Sequence, residues 1–254
     1  MSVVTNIQQL KTELPFKIAV AAGKIPGWRW FRKFGMNDSV GTSAAEDCWP
    51  PGTVRVLPSS AYVASLSSDD VNDNGVTPST GALTVTVEGL DSAYVEVSEV
   101  VTLNGTNAVS TTQTFLRLNR MSVTTAGTSE RNEGNISATL NGVVQAYIEG
   151  LEGQTHQTLY TVPAGHTWII NDYHIKVGRM AGNTDAQVSG QVKPFGGAWR
   201  FISDIYVYGP DEWHAFDSVS VIPAKSEVRV QINSSGATEL SAVAAGYLVD
   251  NNYL

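Results

Sequence analysis

The sequence predicts an all-β protein in which two tandem antiparallel β-sandwich or jelly-roll-like domains follow an extended N-terminal arm. From residue 53 onward, runs rich in Val, Ile, Thr and Tyr alternate apolar with polar residues, which is the two-residue period of a half-buried strand. Polar turns separate these runs at intervals of about ten residues. The 254 residues are 42% apolar and 16% charged, so the chain can bury a sizeable core.

The first 52 residues differ from the rest. Residues 7–17 have room for a short helix that ends before Pro15. Residues 23–35 then concentrate aromatic and cationic side chains between glycines, which predicts an irregular, extended path. We therefore interpret residues 1–52 as an arm laid on a surface.

Residues 53–150 are interpreted as the first β-sandwich domain. Residues 83–88 and 94–103 alternate cleanly between apolar and polar positions. Two Asn-Gly dipeptides predict tight hairpins. Asn104-Gly105 would return the chain into a strand at 114–123, and Asn141-Gly142 would join strands at 135–140 and 143–148.

Residues 151–254 are interpreted as the second, β-sandwich or jelly-roll-like domain, because a short glycine-rich break at 149–154 precedes it. About seven further strand-like runs follow the break. They are residues 156–162, 167–177, 186–194, 199–208, 213–222, 227–233 and 239–248.

Composition and charge restrict the possible functions. The single cysteine, Cys48, leaves no disulfide framework, and no apolar run is long enough to span a membrane. No signal-peptide pattern is present, so we expect a soluble protein assembled in a reducing compartment. Up to Phe34 the chain has six cations and one acid, whereas the remainder has ten cations and 23 acids. A basic leader on an acidic body indicates a charged partner for the leader, and the body should repel nucleic acid and anionic membrane.

Motifs for catalysis are missing from the sequence. Gly-x-Ser-x-Gly, the phosphate-binding glycine loops and His-Glu-x-x-His do not occur, and the four histidines show no metal-ligand spacing. Glu96 and Glu99 have odd spacing on a predicted strand and so face opposite sides. We therefore expect no enzymatic activity and no cofactor.

The most acidic run partly fits a calcium-binding loop. Asp70, Asn72 and Asn74 occupy its positions 1, 3 and 5, with Asp69 and Asp73 beside them. Position 12, which should supply a bidentate glutamate, is Gly81, and the two flanking helices of such a site are not predicted. An exposed loop between strands is the favoured interpretation.

The aromatic and basic part of the arm is the strongest candidate for a functional site. Its side chains can bury apolar area and pair with carboxylates or phosphates. Docking on a partner is the first interpretation, folding back into a groove of the chain's own body is the second, and binding of single-stranded nucleic acid is the third. The candidate residues are Trp28, Arg29, Trp30, Phe31, Arg32, Lys33 and Phe34.

Several motifs together resemble a family of tailed-bacteriophage virion proteins of the kind common in marine phages. The resemblance covers roughly residues 25–250 and departs from the pattern at residues 48–51. The motifs are Phe34-Gly-Met-Asn-Asp-Ser, Glu46-Asp-Cys-Trp49, Thr84-Val-Thr-Val-Glu-Gly-Leu-Asp91, Glu99-Val-Val-Thr-Leu-Asn-Gly-Thr106, Phe115-Leu-Arg-Leu-Asn-Arg-Met121, Thr161-Val-Pro-Ala-Gly165, Val192-Lys-Pro-Phe-Gly-Gly197 and Ile222-Pro-Ala-Lys-Ser226.

The resemblance implies a structural protein of the virion, assembled in the cytoplasm of the bacterial host. A capsid decoration or cement protein fits best, docked by its arm on the major capsid protein or another virion protein and forming a dimer or trimer. On this hypothesis, deleting residues 1–52 should abolish particle binding and leave the body folded. The alternatives are a tail, neck or fibre-attachment component, and a carbohydrate-binding module that uses Trp168, Trp199 or Trp213 as a sugar platform.

Overall fold

The computed structural model describes residues 15–178, 184–208, 213–216 and 219–254. Antiparallel strands make up most of this part of the chain, and they form four main sheets arranged as two β units. The predicted all-β, sandwich-type fold class is confirmed. Helical structure in the described residues is confined to α1 (Phe16–Ala21) and a 3₁₀ turn at Asn251–Tyr253.

The first β unit consists of seven strands in the described residues: β3 (Tyr62–Ser68), β4 (Ala82–Leu90), β5 (Glu96–Thr102), β6 (Val109–Phe115), β7 (Arg117–Ala126), β8 (Ile136–Leu140) and β9 (Val143–Ile148). They form two sheets, one with the strand order β6-β3-β8-β9 and one with the order β5-β4-β7. The facing sides of the sheets enclose one core that includes Leu66, Val85, Phe115, Met121 and Ile148, all fully buried.

The two Asn-Gly dipeptides for which hairpins are predicted behave differently. Asn141 and Gly142 have φ values of 50° and 78° and join β8 to β9 in the predicted hairpin. The hairpin predicted at Asn104-Gly105 is wrong, because β5 pairs with β4 and β6 pairs with β3. The dipeptide reverses the chain but carries it from one sheet to the other.

The second β unit contains the strands β1 (Trp28–Val40), β2 (Glu46–Asp47), β10 (Tyr160–Thr161), β11 (His166–Gly178), β12 (Asp185–Lys193), β13 (Arg200–Tyr208), β14 (Trp213–Phe216), β15 (Ser220–Ile222), β16 (Glu227–Ser234) and β17 (Thr238–Asp250). One of its sheets has the order β1-β17-β11-β14, with β15 also paired to β11, and the other has the order β10-β16-β12-β13, with β2 also paired to β16. Two apolar clusters fill the space between the sheets, one around Ile175 and Ile232 and one around Trp168 and Leu248.

Residues that were predicted to lie in an irregular, extended arm form the long strand β1 of the second unit. It pairs antiparallel with β17 from Trp28↔Val249 to Val40↔Thr238, so the predicted separation of an arm at 1–52 from the C-terminal β unit does not hold for this strand. Gly35 lies inside β1 because a Cβ there would come within 2.4 Å of the Cys48 carbonyl oxygen. The glycine marks a close backbone approach and not an interruption of the strand.

Helix α1 covers the outer face of the sheet that contains β1. It begins directly after Pro15, whereas the predicted helix over 7–17 falls mostly outside the described residues. Ala19 and Val20 pack on Tyr247 and Val249, and the ring of Phe16 meets Trp28 edge-on at 5.4 Å. The aromatic side chains on this face of β1 therefore contribute to the fold itself.

Candidate interaction cleft between the two sandwiches

A buried polar junction holds the two β units together. Arg117 on β7 and Glu227 on β16 form an ion pair of 2.6 Å, and each side chain is 7% exposed. Arg117 also donates to the carbonyl oxygen of Pro58, while Lys193 lies 3.4 Å from the second oxygen of Glu227. The charges are thus satisfied across the junction, as buried charges need to be.

A second group of charges at the junction surrounds Asp47. Its carboxylate accepts from the Arg55 amide and from Gln231, and burial raises the pKa of this acid despite those contacts. The Arg55 guanidinium donates to the carbonyl oxygens of Leu118 and Gln145 in the first unit. Burial lowers the pKa of Arg55 to about 10.

An open cleft of about 420 Å³ lies beside this junction, between β1 of the second unit and β4, β5 and β7 of the first. Six of the seven candidate residues line it: Arg29, Trp30, Phe31, Arg32, Lys33 and Phe34. The seventh, Trp28, instead packs on Phe16 and Tyr247. The candidate residues are therefore brought together in a folded groove of the chain's own body, which was the second of the three interpretations from sequence.

Lys33 is the most perturbed cation of the cleft. It is 7% exposed, and its Nζ donates to the carbonyl oxygen of Asn119 at 2.6 Å. Burial lowers the pKa of Lys33 to about 7, and repulsion by Arg55 and Arg120 adds to the effect, while Glu88 opposes it. Because the charged form of Lys33 is unfavourable in these surroundings, a nearby anion would stabilise that form strongly.

The other cations of the cleft are more exposed to solvent than Lys33. Arg29 pairs with Glu96, and Arg120 lies 3.7 Å from Glu88, all four side chains being about half exposed. Arg32 is exposed and lies over the Phe34 ring at 5.7 Å. Four cations and two carboxylates thus line the cleft, which makes it locally basic in a protein of formal net charge −8.

The first unit supplies cleft residues that sequence reasoning did not single out for this site, among them Glu88, Glu96, Asn119 and Arg120. Their positions depend on contacts over long sequence separations, such as the 86 residues between Lys33 and Asn119. No local pattern could identify them. Their strands were predicted correctly, but the surface that these strands face was not.

The acidic loop considered for calcium is a structural element. Asp73 is fully buried, and its two oxygens accept from the amides of Ala82, Glu133 and Gly134 and from the Ser68 hydroxyl at 2.6–2.9 Å. Asp69 accepts from Asn135, Asp70 accepts from Asn72, and Asn74 donates to Val71 within the same loop. Among the described residues, no group of three His, Cys, Asp or Glu side chains is arranged to hold a metal ion.

The tryptophans proposed as sugar platforms have other environments. Trp168 is fully buried in the core of the second unit, so its assignment as a platform is wrong. Trp199 is half-buried, and its ring stacks on the Arg229 guanidinium at 4.0 Å. The Trp213 side chain lies outside the described residues.

Comparison with known proteins identifies no family for this chain. No family model and no curated protein matches the sequence. The VP2 subviral particle of infectious bursal disease virus aligns with 94% of this chain and 78% of its own, at 12% identity and a TM-score of 0.26. A mutant VP2 protein of the same virus in derived T=1 particles aligns with 94% and 76%, at 11% identity and a TM-score of 0.27. At such scores the likeness carries no argument about this chain.

In the described ranges, no helix is long and apolar enough to cross a bilayer.

Proposed function

We propose that this chain is a structural protein of a bacteriophage virion, and specifically a capsid decoration or cement protein that docks on the major capsid lattice through the cleft. The observation that carries the proposal is the gathering of six cationic and aromatic candidate residues in one open groove between two β units. The family resemblance of the sequence supports the same role. On this proposal the chain has no enzymatic activity and works in the virion as a dimer or trimer.

A folded groove suits lattice docking better than a mobile arm would. Side chains already held by β-sheet pairing lose less conformational entropy on binding. The same weak contact repeated over many capsid sites gives avidity without a single strong site. The paired strand β1 and the buried junction hold the two walls of the groove in place.

The copy number of this chain in purified particles, measured against the major shell protein, tests the proposal. We expect a ratio comparable to that of the shell protein. A ratio lower by an order of magnitude or more would overturn the decoration role and place the chain in the tail, neck or a fibre attachment. Absence from the particles would overturn the virion role altogether.

A further inference from the structure

We propose that the cleft binds an extended acidic segment of the partner protein, with one carboxylate of that segment reaching Lys33 at the floor of the cleft. The chemistry of the site follows from the described residues alone. The statement that the partner is another virion protein rests on the proposed function.

Lys33 is the first reason for an anionic ligand. Its ammonium group has three donor hydrogens, and the carbonyl of Asn119 is its one hydrogen-bond acceptor among the described residues. The charged groups that act on it are Arg55 after β2, Arg120 on β7 and Glu88 on β4, and two of these three are cations. A buried cation in such surroundings is stabilised by an added carboxylate.

The remaining charges of the cleft point to the same ligand. Arg29 is already compensated by Glu96, and Arg120 is partly compensated by Glu88. Arg32 contacts an aromatic ring and no carboxylate in the described structure. Arg32 and Lys33, which lie on opposite faces of β1, are therefore the two cations that acidic side chains of a bound segment would complement most strongly.

The backbone of β1 indicates a peptide rather than a small ion. β1 pairs with β17 on one side, and no described strand pairs with its other edge. Residues 29–34 line the cleft as a continuous run, so every second residue there directs its amide and carbonyl away from β17. An extended segment can add to such an edge while its side chains enter the groove.

The size and lining of the cleft agree with a peptide. A volume of about 420 Å³ exceeds the needs of a lone sulfate or phosphate and falls in the range of organic ligand sites. Trp30, Phe34 and Val97 add apolar surface for the stem of a side chain or a neighbouring residue. A nucleic acid strand carries a phosphate at every nucleotide and would meet the net negative charge of the body along its whole length, whereas one or two carboxylates of a peptide can be placed against the cations of the cleft alone.

Titration of the full chain with the peptide acetyl-Thr-Glu-Thr-Glu-Thr-amide tests the inference, with the matched glutamine peptide, sodium sulfate and a thymidine pentanucleotide as the other probes. We expect the glutamate peptide to bind at least tenfold more tightly than any other probe. Lys33→Met should weaken it tenfold or more and Arg32→Gln about threefold. Lys17→Met, which alters an exposed cation outside the cleft, should bind as the unaltered chain does.

The pH dependence provides a readout specific to Lys33. Because only the ammonium form attracts a carboxylate, affinity should fall about tenfold between pH 6.5 and 8.5 and should be flat over that interval in Lys33→Met. Exposed Arg32 serves as the second variant if Lys33→Met unfolds, since replacing it leaves the core intact. Equal binding of the glutamate and glutamine peptides, or no binding of either, would overturn the inference.

Two other outcomes would also overturn it. Sulfate binding as tightly as the glutamate peptide would identify a small-anion site, and preference for the pentanucleotide would identify a nucleic-acid site. Failure of this inference is distinguishable from failure of the proposed function. A chain abundant in particles that ignores the glutamate peptide refutes only the inference, whereas peptide binding by a chain absent from particles refutes only the virion role.

Discussion

A chain that lacks residues 1–52 is expected to lose the fold of its second β unit. The deletion removes β1, a strand of 13 residues that pairs with β17, and β2, which pairs with β16. It also removes Cys48 and Trp49, whose exposed fractions are at most 1%. Thermal unfolding followed by near-ultraviolet circular dichroism should show no cooperative transition for the second unit, and binding of a hydrophobic dye should increase.

This expectation replaces the simpler one drawn from the sequence, in which the truncated body stays folded and loses only particle binding. Loss of binding by the truncated chain would carry no information about docking, because the binding surface and half of the fold would disappear together. A truncated chain that keeps the unfolding temperature of the full chain would contradict the strand assignment of residues 28–40.

Arg117→Met is expected to destabilise the protein by about 3–5 kcal/mol, since it removes the buried cation that pairs with the Glu227 carboxylate at 2.6 Å and leaves the more exposed Lys193, at 3.4 Å, as the remaining ion-pair partner in the described structure. Chemical denaturation is the measurement. The matched control is Lys17→Met, which breaks the exposed pair with Asp172 at 3.4 Å and should cost less than about 1 kcal/mol.

The double variant Arg117→Met with Glu227→Leu separates charge from packing. Removing both charges should recover part of the lost stability, because a buried ion pair can be replaced by apolar groups at little net cost. If Arg117→Met alone were no more destabilising than Lys17→Met, the ion pair would not be buried at a junction between the two units.

The strands could be predicted from the sequence because their signal is local. In β4 the buried residues Val85 and Val87 alternate with half-exposed threonines, the pattern expected of a strand with one face in the core. Asn141 and Gly142 both have the positive φ that a two-residue hairpin turn favours, and so this hairpin was predicted correctly. A turn dipeptide specifies a reversal of the chain, however, and not the sheet that receives it, which is why the prediction at Asn104-Gly105 was wrong.

The prediction of an irregular arm was wrong for residues 28–40, which form β1, for a related reason. Gly23 and Gly27 have φ values of 67° and 73° and do form turns, but these turns precede the strand. Trp28, Trp30 and Arg32 lie on one face of β1, and Phe31 and Lys33 on the other, so each face mixes aromatic with cationic residues and no alternation of apolar with polar residues marks the strand. The density of glycine and proline around the segment therefore determined the prediction.

Only one wall of the cleft, the one formed by β1, could be predicted from the sequence. The residues of β1 were recognised by their chemistry, since aromatic and cationic side chains in one segment indicate a binding surface. The opposite wall comes from β4, β5 and β7, and its position follows from the junction of Arg117 with Glu227 across 110 residues. Pairings over such separations leave no trace in local periodicity.

Hydrogen exchange at the backbone amides of residues 28–40 tests most directly the claim that the cationic and aromatic segment is a strand of the second unit. About every second amide of β1 should exchange as slowly as the paired amides of β17, because antiparallel strands share hydrogen bonds in alternation. Exchange of the whole segment at the rate of an unprotected peptide would contradict the claim, and the cleft that depends on it.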